Sequence, residues 1–202
     1  MNILVRTAAQ TDVPEIVTVH ERAFPDFFLT TLGRAFLTSM YRGFIEQPGG
    51  TLLVGERTGS GIVGLLAGTR APDEFFRSLR RRRGMVMGLS AIPGLIRHPV
   101  RVGERLWAAV RYRGDAPVSL PGYWLLSSLG IDPGHAGSGV GGALTTDFCE
   151  RARRESAPGV YLLTDQDDNE AALRFYTKRG FVQHAAQRRP NGRRLLILAR
   201  SF

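Results

Sequence analysis

At 202 residues and 43% hydrophobic content, the chain is long enough to bury a real core as one domain, or as one domain with a sizeable insertion. No run of about 18 apolar residues is present to cross a bilayer, and the start "MNILVRTAAQTD" lacks the charged, apolar and small-residue order of a signal peptide, so the chain reads as cytoplasmic. The net charge is +9, and residues 71–120 hold ten arginines against Asp73, Glu74, Glu104 and Asp115, so most of the excess belongs to one segment. The single Cys149 reads as a small buried hydrophobe on a helix, and four scattered histidines give no zinc spacing, so no metal is expected.

In chain order, "NILVRTA" alternates as a strand, and "TDVPEIVTVHERAF" places a capping Thr11 or Asp12 before Ile16, Val19 and Ala23 at helical spacing. "LTTLGRAFLTSMYRGFIEQ" puts Leu32, Phe36, Leu37, Met40, Tyr41 and Phe44 on one helical face and stops at "PGG". Residues 51–57 and 61–70 form a hairpin across Thr58 to Ser60. Residues 71–120 break the rhythm and predict two or three inserted amphipathic helices. "YWLLSSLGI" resumes a buried strand, followed by a helix from Gly141 to Glu155 and a second buried strand, "GVYLLTD". "NEAALRFYTKRG" is a helix closed by Gly180, and "FVQHAAQ" and "RRLLILAR" are the last two strands. The order is β α α β β, insertion, β α β α β β.

The stretch "IDPGHAGSGVGGAL" offers three phosphate-binding readings. A P-loop needs lysine and a hydroxyl where Ala143 and Leu144 stand, which excludes it. The dinucleotide fingerprint G-x-G-x-x-G fits Gly137, Gly139 and Gly142, with Asp165 as a ribose-binding acid. Asp132 to Ala136 nevertheless separate the strand end from the first glycine, and too little chain follows for a doubly wound sheet. A dinucleotide-binding oxidoreductase is therefore the remote alternative.

The third reading uses the whole context. Pro133, Gly139, Gly141 and Leu144 stand where the GCN5-related N-acetyltransferase (GNAT) superfamily has its first motif, and the stretch resembles that motif in following a strand and opening a helix. Bare N–H groups at a helix N-terminus suit the pyrophosphate of coenzyme A. Ala136 departs from the Arg or Gln usual there, and Ser138 offers a hydroxyl instead. A second block, "LLTDQDDNEAALRFYTKRGF", is similar to the family's other motif at Asn169, Ala172, Tyr176, Gly180 and Phe181.

The resemblance implies a GNAT fold. This is an α/β (α+β) architecture with a mixed, mostly antiparallel twisted sheet, splayed between its fourth and fifth strands and flanked by helices, here with a basic helical insertion at about 71–120 in a single domain over 1–202. It further implies acetyl-CoA as cofactor, held by Leu129, Ile131, Ala136, Gly137, Ser138, Gly139, Val140, Gly141, Gly142, Asn169 and Tyr176. Tyr176 would be the general acid for the departing thiolate. The alternative for Tyr176 is a core aromatic, as Phe175 beside it reads.

The base stays open among Glu21, Asp26, His20 and, through a water, Asp165, because residues 123–131 contain no carboxylate. Phe24, Phe27 and Phe28 lie between helices, where full solvation would waste apolar area, and are expected to line an acceptor pocket. One of them is also explained by a hydrophobic staple. The acceptor expected is a small-molecule amine, with an amino sugar or a phosphorylated compound favoured over a lysine-rich peptide by the basic charge. Residues 71–120 leave membrane-surface contact open, nucleic acid being the weaker partner for lack of interleaved aromatics, and a homodimer is left open too. An acyl-CoA-binding protein attached to a membrane surface is the competing function.

Overall fold

The computed structural model describes residues 2–97, 117, 119–189 and 192–202. Seven strands form one sheet: β1 (Ile3–Thr7), β2 (Gly50–Arg57), β3 (Gly61–Thr69), β4 (Trp124–Ile131), β5 (Gly159–Asp165), β6 (Val182–Arg188) and β7 (Arg194–Ser201), in the spatial order β1-β2-β3-β4-β5-β7-β6. Every pairing is antiparallel except β4 with β5. That parallel pair is short, joining Trp124, Leu125 and Leu126 to Val160, Tyr161 and Leu162. From Ser127 onward β4 leaves β5, which is the splay the resemblance implies. A doubly wound dinucleotide fold needs a mainly parallel sheet, and this topology excludes it.

Alternation along the central strands explains why helices cover both faces. Leu52, Val54, Leu65 and Ala67 point to one side, where they pack with Ile16 and Val17 of α1 (Val13–Ala23) and with Leu37 and Tyr41 of α3 (Arg34–Glu46). Leu53, Val63 and Leu66 point to the other, against Val140, Leu144 and Phe148 of α5 (Val140–Arg154) and Tyr176 of α6 (Glu170–Thr177). A sheet buried on both faces reads as near-continuous apolar runs, as β2 and β3 do.

The helix expected from "LTTLGRAFLTSMYRGFIEQ" is two elements, a single turn α2 (Phe28–Thr31) and then α3. Gly33, at φ +91°, turns the chain between them, and the apolar face from Phe36 to Phe44 is buried as its spacing requires. Asp12 stands at the N-cap of α1, yet its carboxylate accepts from the Ala9 amide at 2.7 Å and from Arg6, closing the preceding turn instead of the helix. Within residues 71–120 one helix, α4 (Pro72–Arg97), is described, and Phe75 and Leu79 dock it on the α3 side of the core. The rest of the two or three helices expected within 71–120 falls outside the described residues.

Candidate active site

The strand-to-helix turn after β4 is made of backbone. Asp132 opens it, its carboxylate accepting from the Gly134 amide at 2.9 Å and from Arg22 of α1 at 2.9 Å. These contacts, the Arg22 guanidinium first, hold the Asp132 carboxyl below the usual carboxylate range. The loop then passes through Gly137 at φ +73° and Gly139 at φ +88°, left-handed conformations that a side chain disfavours. Gly139 is the N-cap of α5 and brings no side chain to its first turn. The N–H groups of Gly139, Val140, Gly141 and Gly142 have no acceptor among the described residues. Ser138 Oγ and His135 Nδ1 are buried without a hydrogen-bond partner there too, the latter 3.9 Å from the Asp132 carboxylate. Unpaired amides at the positive start of a fifteen-residue helix, with the Ser138 hydroxyl in the same turn, fit a pyrophosphate.

Gly141 and Gly142 have a different reason to be glycine. A Cβ on Gly141 would stand 3.3 Å from the Phe175 ring, and one on Gly142 would stand 2.6 Å from an Arg179 guanidinium nitrogen. Both admit side chains from α6 and its end, so close packing accounts for two of the glycines that the motif counts together, while their amides still face the turn.

Beside the turn, the splay exposes strand edge. The Asp132 amide donates to Val63 O at 2.9 Å, which fixes the alternation along β4. Leu129 and Ile131 therefore direct their N–H and C=O groups away from β3, toward the gap left by β5. Asn169 fastens the far side of that gap, donating from Nδ2 to Thr164 Oγ1 at 2.6 Å and to Asp165 O at 2.9 Å. Both of its donors are thus engaged by the end of β5, and only its Oδ1 is free among the described residues.

Tyr176 is buried, with its ring 5.6 Å from that of Phe181 and 5.0 Å from that of Phe175, in the cluster that holds Leu126 and Leu162 at the fork of the splay. Burial pushes its hydroxyl above the ordinary tyrosine range, and Arg179 pulls it the other way. The group is protonated at neutral pH, as any tyrosine is, and burial makes it the weaker acid. Arg179 escaped the sequence reading altogether. The run "TKRGF" carries the only available signal, a basic residue placed just before the helix-closing glycine.

The expected acceptor-side residues are only partly brought together. Phe24 lies on β4, where a Cβ at Gly130 would stand 2.8 Å from its ring, and it stacks at 5.0 Å on His20 and 5.8 Å from Phe27. Phe27 is exposed, whereas Phe28 packs against the core beside α1 and α3. Glu21 is tied to Arg34 at the start of α3, and Asp165 to Arg193. Asp26 is exposed in the turn after α1 and has no ion pair among the described residues. His20 is fully buried, with Nδ1 2.6 Å from the Tyr41 hydroxyl and Nε2 without a partner. Burial lowers its pKa to about 4, so it is neutral at physiological pH and walled from the splay by Phe24.

The Acetyltransferase (GNAT) family profile matches residues 13–181. Over 59 residues the chain is 41% identical to glucosamine 6-phosphate N-acetyltransferase of Trypanosoma brucei brucei, a span of 29% of this chain and 37% of that protein. Among solved structures, the fold matches an acetyltransferase of the GNAT family from Desulfovibrio desulfuricans at a TM-score of 0.65 and 13% identity, over 99% of each chain. It also matches the PaiA N-acetyltransferase of Thermoplasma acidophilum, solved in complex with coenzyme A, at a TM-score of 0.58 and 10% identity, over 100% of each chain. With the profile covering most of its length, and with the splayed sheet and the glycine turn in place, this chain belongs to the GNAT acetyltransferase family.

Proposed function

We propose that the chain is one N-acetyltransferase domain, with residues 71–120 as its insertion, moving an acetyl or other short acyl group from coenzyme A to a primary amine of a small molecule. The observation that carries this is the meeting of two sets of unpaired backbone groups. The first-turn amides of α5 would take a pyrophosphate, and the free edge of β4 at Leu129 and Ile131 would take an extended amide-bearing arm. Bound acetyl-coenzyme A supplies an electrophilic acyl carbon and a thiolate leaving group. Backbone N–H groups at the β4 edge orient the arm and polarise the acyl oxygen. The Tyr176 hydroxyl, protonated at neutral pH, gives its proton to the departing sulfur. Asp26 takes the proton lost by the attacking amine, because Glu21 and Asp165 are already neutralised by arginines.

For the acceptor, the name of the trypanosomal relative supports an amino sugar carrying phosphate, and the +9 charge favours an acidic compound over a lysine-rich peptide. Phe24 and Phe27 form the apolar wall that such a molecule would meet. A screen of amines with acetyl-coenzyme A, read as free thiol, tests donor and acceptor together. Turnover with an amino sugar phosphate is expected. Failure of coenzyme A to raise the melting temperature, against stabilisation by NAD, would overturn the assignment.

One observation favours a second activity for α4, attachment to an anionic membrane surface. Its arginines at 77, 81 and 82 are exposed on the same helix as exposed Met85, Val86, Leu89 and Ile92, and clustered arginines are drawn to an anionic surface. Cosedimentation with phosphatidylserine vesicles over a salt series tests it, and equal binding to neutral vesicles would sink it. Among the described residues no helix is long and apolar enough to cross a membrane.

A further inference from the structure

The glycine turn carries no lysine or arginine between Asp132 and Leu144, although the anion proposed for it bears two negative charges. A cation reaches the first turn of α5 from the other motif. Arg179 follows the last turn of α6, and its side chain runs back along that helix to lie between the Phe175 ring, 3.6 Å from the guanidinium carbon, and the bare Cα of Gly142 in the first turn of α5. Nη1 donates to Phe175 O at 2.8 Å, whereas Nε and Nη2 have no acceptor, and no carboxylate pairs with the group, among the described residues.

This placement is unfavourable for the protein alone. A cation beside a helix N-terminus faces the positive end of the macrodipole, a repulsion felt mainly within the first turn, where Gly142 lies. The guanidinium is also partly desolvated, which holds its pKa below the ordinary arginine value. Stacking on Phe175 fixes its plane and leaves one edge open. A doubly charged anion at the turn would face donors from both sides, the α5 amides and the Arg179 edge, and would remove the repulsion between them.

We propose that Arg179 is a binding residue for the pyrophosphate of the donor, supplying from α6 the positive side chain that the turn itself lacks and linking cofactor occupancy to the helix that carries Tyr176. This rests on the reading that the α5 N-terminus holds the pyrophosphate. Gly142 is glycine, in this account, because the guanidinium needs that surface.

Titration of the wild type, Arg179→Met and Arg179→Gln with coenzyme A, 3′-dephospho-coenzyme A and pantetheine tests it, with thermal melts of each unliganded protein. Both variants should weaken coenzyme A and dephospho-coenzyme A alike by about tenfold or more, leave pantetheine unchanged, and flatten the salt dependence. Their unliganded melting temperatures should equal or exceed the wild type, since a repulsive contact has been removed. Unchanged affinities would overturn the proposal, as would a loss confined to coenzyme A, which points to the 3′-phosphate. Equal weakening of pantetheine with a lower melting temperature would also overturn it, by reducing Arg179 to a packing residue of α6. A wild type that binds pantetheine but gains nothing from the pyrophosphate would remove the reading beneath it.

Discussion

The two sides of the splayed sheet are finished in opposite ways. Around the β4–α5 turn, polar groups are left open: four consecutive amides, Ser138 Oγ and the free edge of β4. At the corner of α1, α2 and α3, the charged groups are matched, Glu21 with Arg34 and Arg22 with Asp132, while His20 meets Tyr41 through Nδ1 and keeps Nε2 without a partner among the described residues, as Ser39 Oγ also is. A row of unpaired backbone donors at a helix start can take a ligand's acceptor atoms without breaking an internal bond, whereas charged side chains already paired with one another cannot. The donor side is thus preorganised by backbone. The proposed acceptor side offers an aromatic wall and an exposed carboxylate, Asp26, with no ion pair among the described residues.

The largest expected effect probes the hinge between the two sides. Tyr176→Phe retains the ring packed on Phe175 and Phe181 and removes the hydroxyl. kcat should fall by about a hundredfold or more while coenzyme A affinity persists, as single-turnover kinetics and calorimetry would show. Retention of kcat would make Tyr176 a core aromatic and leave solvent as the acid.

The matched side should announce itself in stability. His20 titrates at about 4 when folded against 6.5 unfolded. Between those values the unfolded chain binds a proton that the folded one refuses, so stability present above pH 6.5 is lost as pH falls toward 4, by ~3 kcal/mol in all. Urea melts from pH 7 to pH 4 should show this slope, and His20→Gln should flatten it. Equal slopes would place the burial of His20 in doubt.

How legible these regions were follows the same division. The donor side rests on spacing within two short runs, so "PGHAGSGVGGAL" and "NEAALRFYTKRGF" reveal it along with the strand-to-helix order around them. The splay was legible only through the family resemblance, because nothing in "WLLSSLGI" says that pairing with β5 stops at Leu126. Arg179 against Gly142 joins residues far apart in sequence, and the pairing of Glu21 with Arg34 depends on how α1 meets α3; neither leaves a periodic signal. The break at Gly33 was missed because the apolar spacing of α3 continues smoothly back to Leu32, while one glycine at positive φ redirects the backbone.

A smaller effect separates strain from ligand binding on the open side. Gly139 at φ +88° and Gly59 at φ +82° both have positive φ, but only Gly139 lies at the α5 N-cap. Alanine at either should cost about 1–2 kcal/mol by thermal or urea melts. Only Gly139→Ala should weaken coenzyme A, because the strained turn redirects its amides. Equal affinities would mean that the turn adapts and that its geometry is not the source of binding.

The smallest effects test whether a matched carboxylate can still act. Asp26 is exposed and unpaired among the described residues, so Asp26→Asn should lower kcat/KM by about tenfold, most steeply below neutral pH, where the acceptor ammonium most needs a base. Glu21 accepts from Arg34, and the pair is partly exposed, so screening and side-chain entropy leave it worth under about 1 kcal/mol. Glu21→Gln should change stability within that limit and kcat/KM by less than about threefold. If Glu21→Gln instead abolished turnover while Asp26→Asn did not, Arg34 would be an orienting partner of the base and the acceptor corner would be as poised for chemistry as the glycine turn.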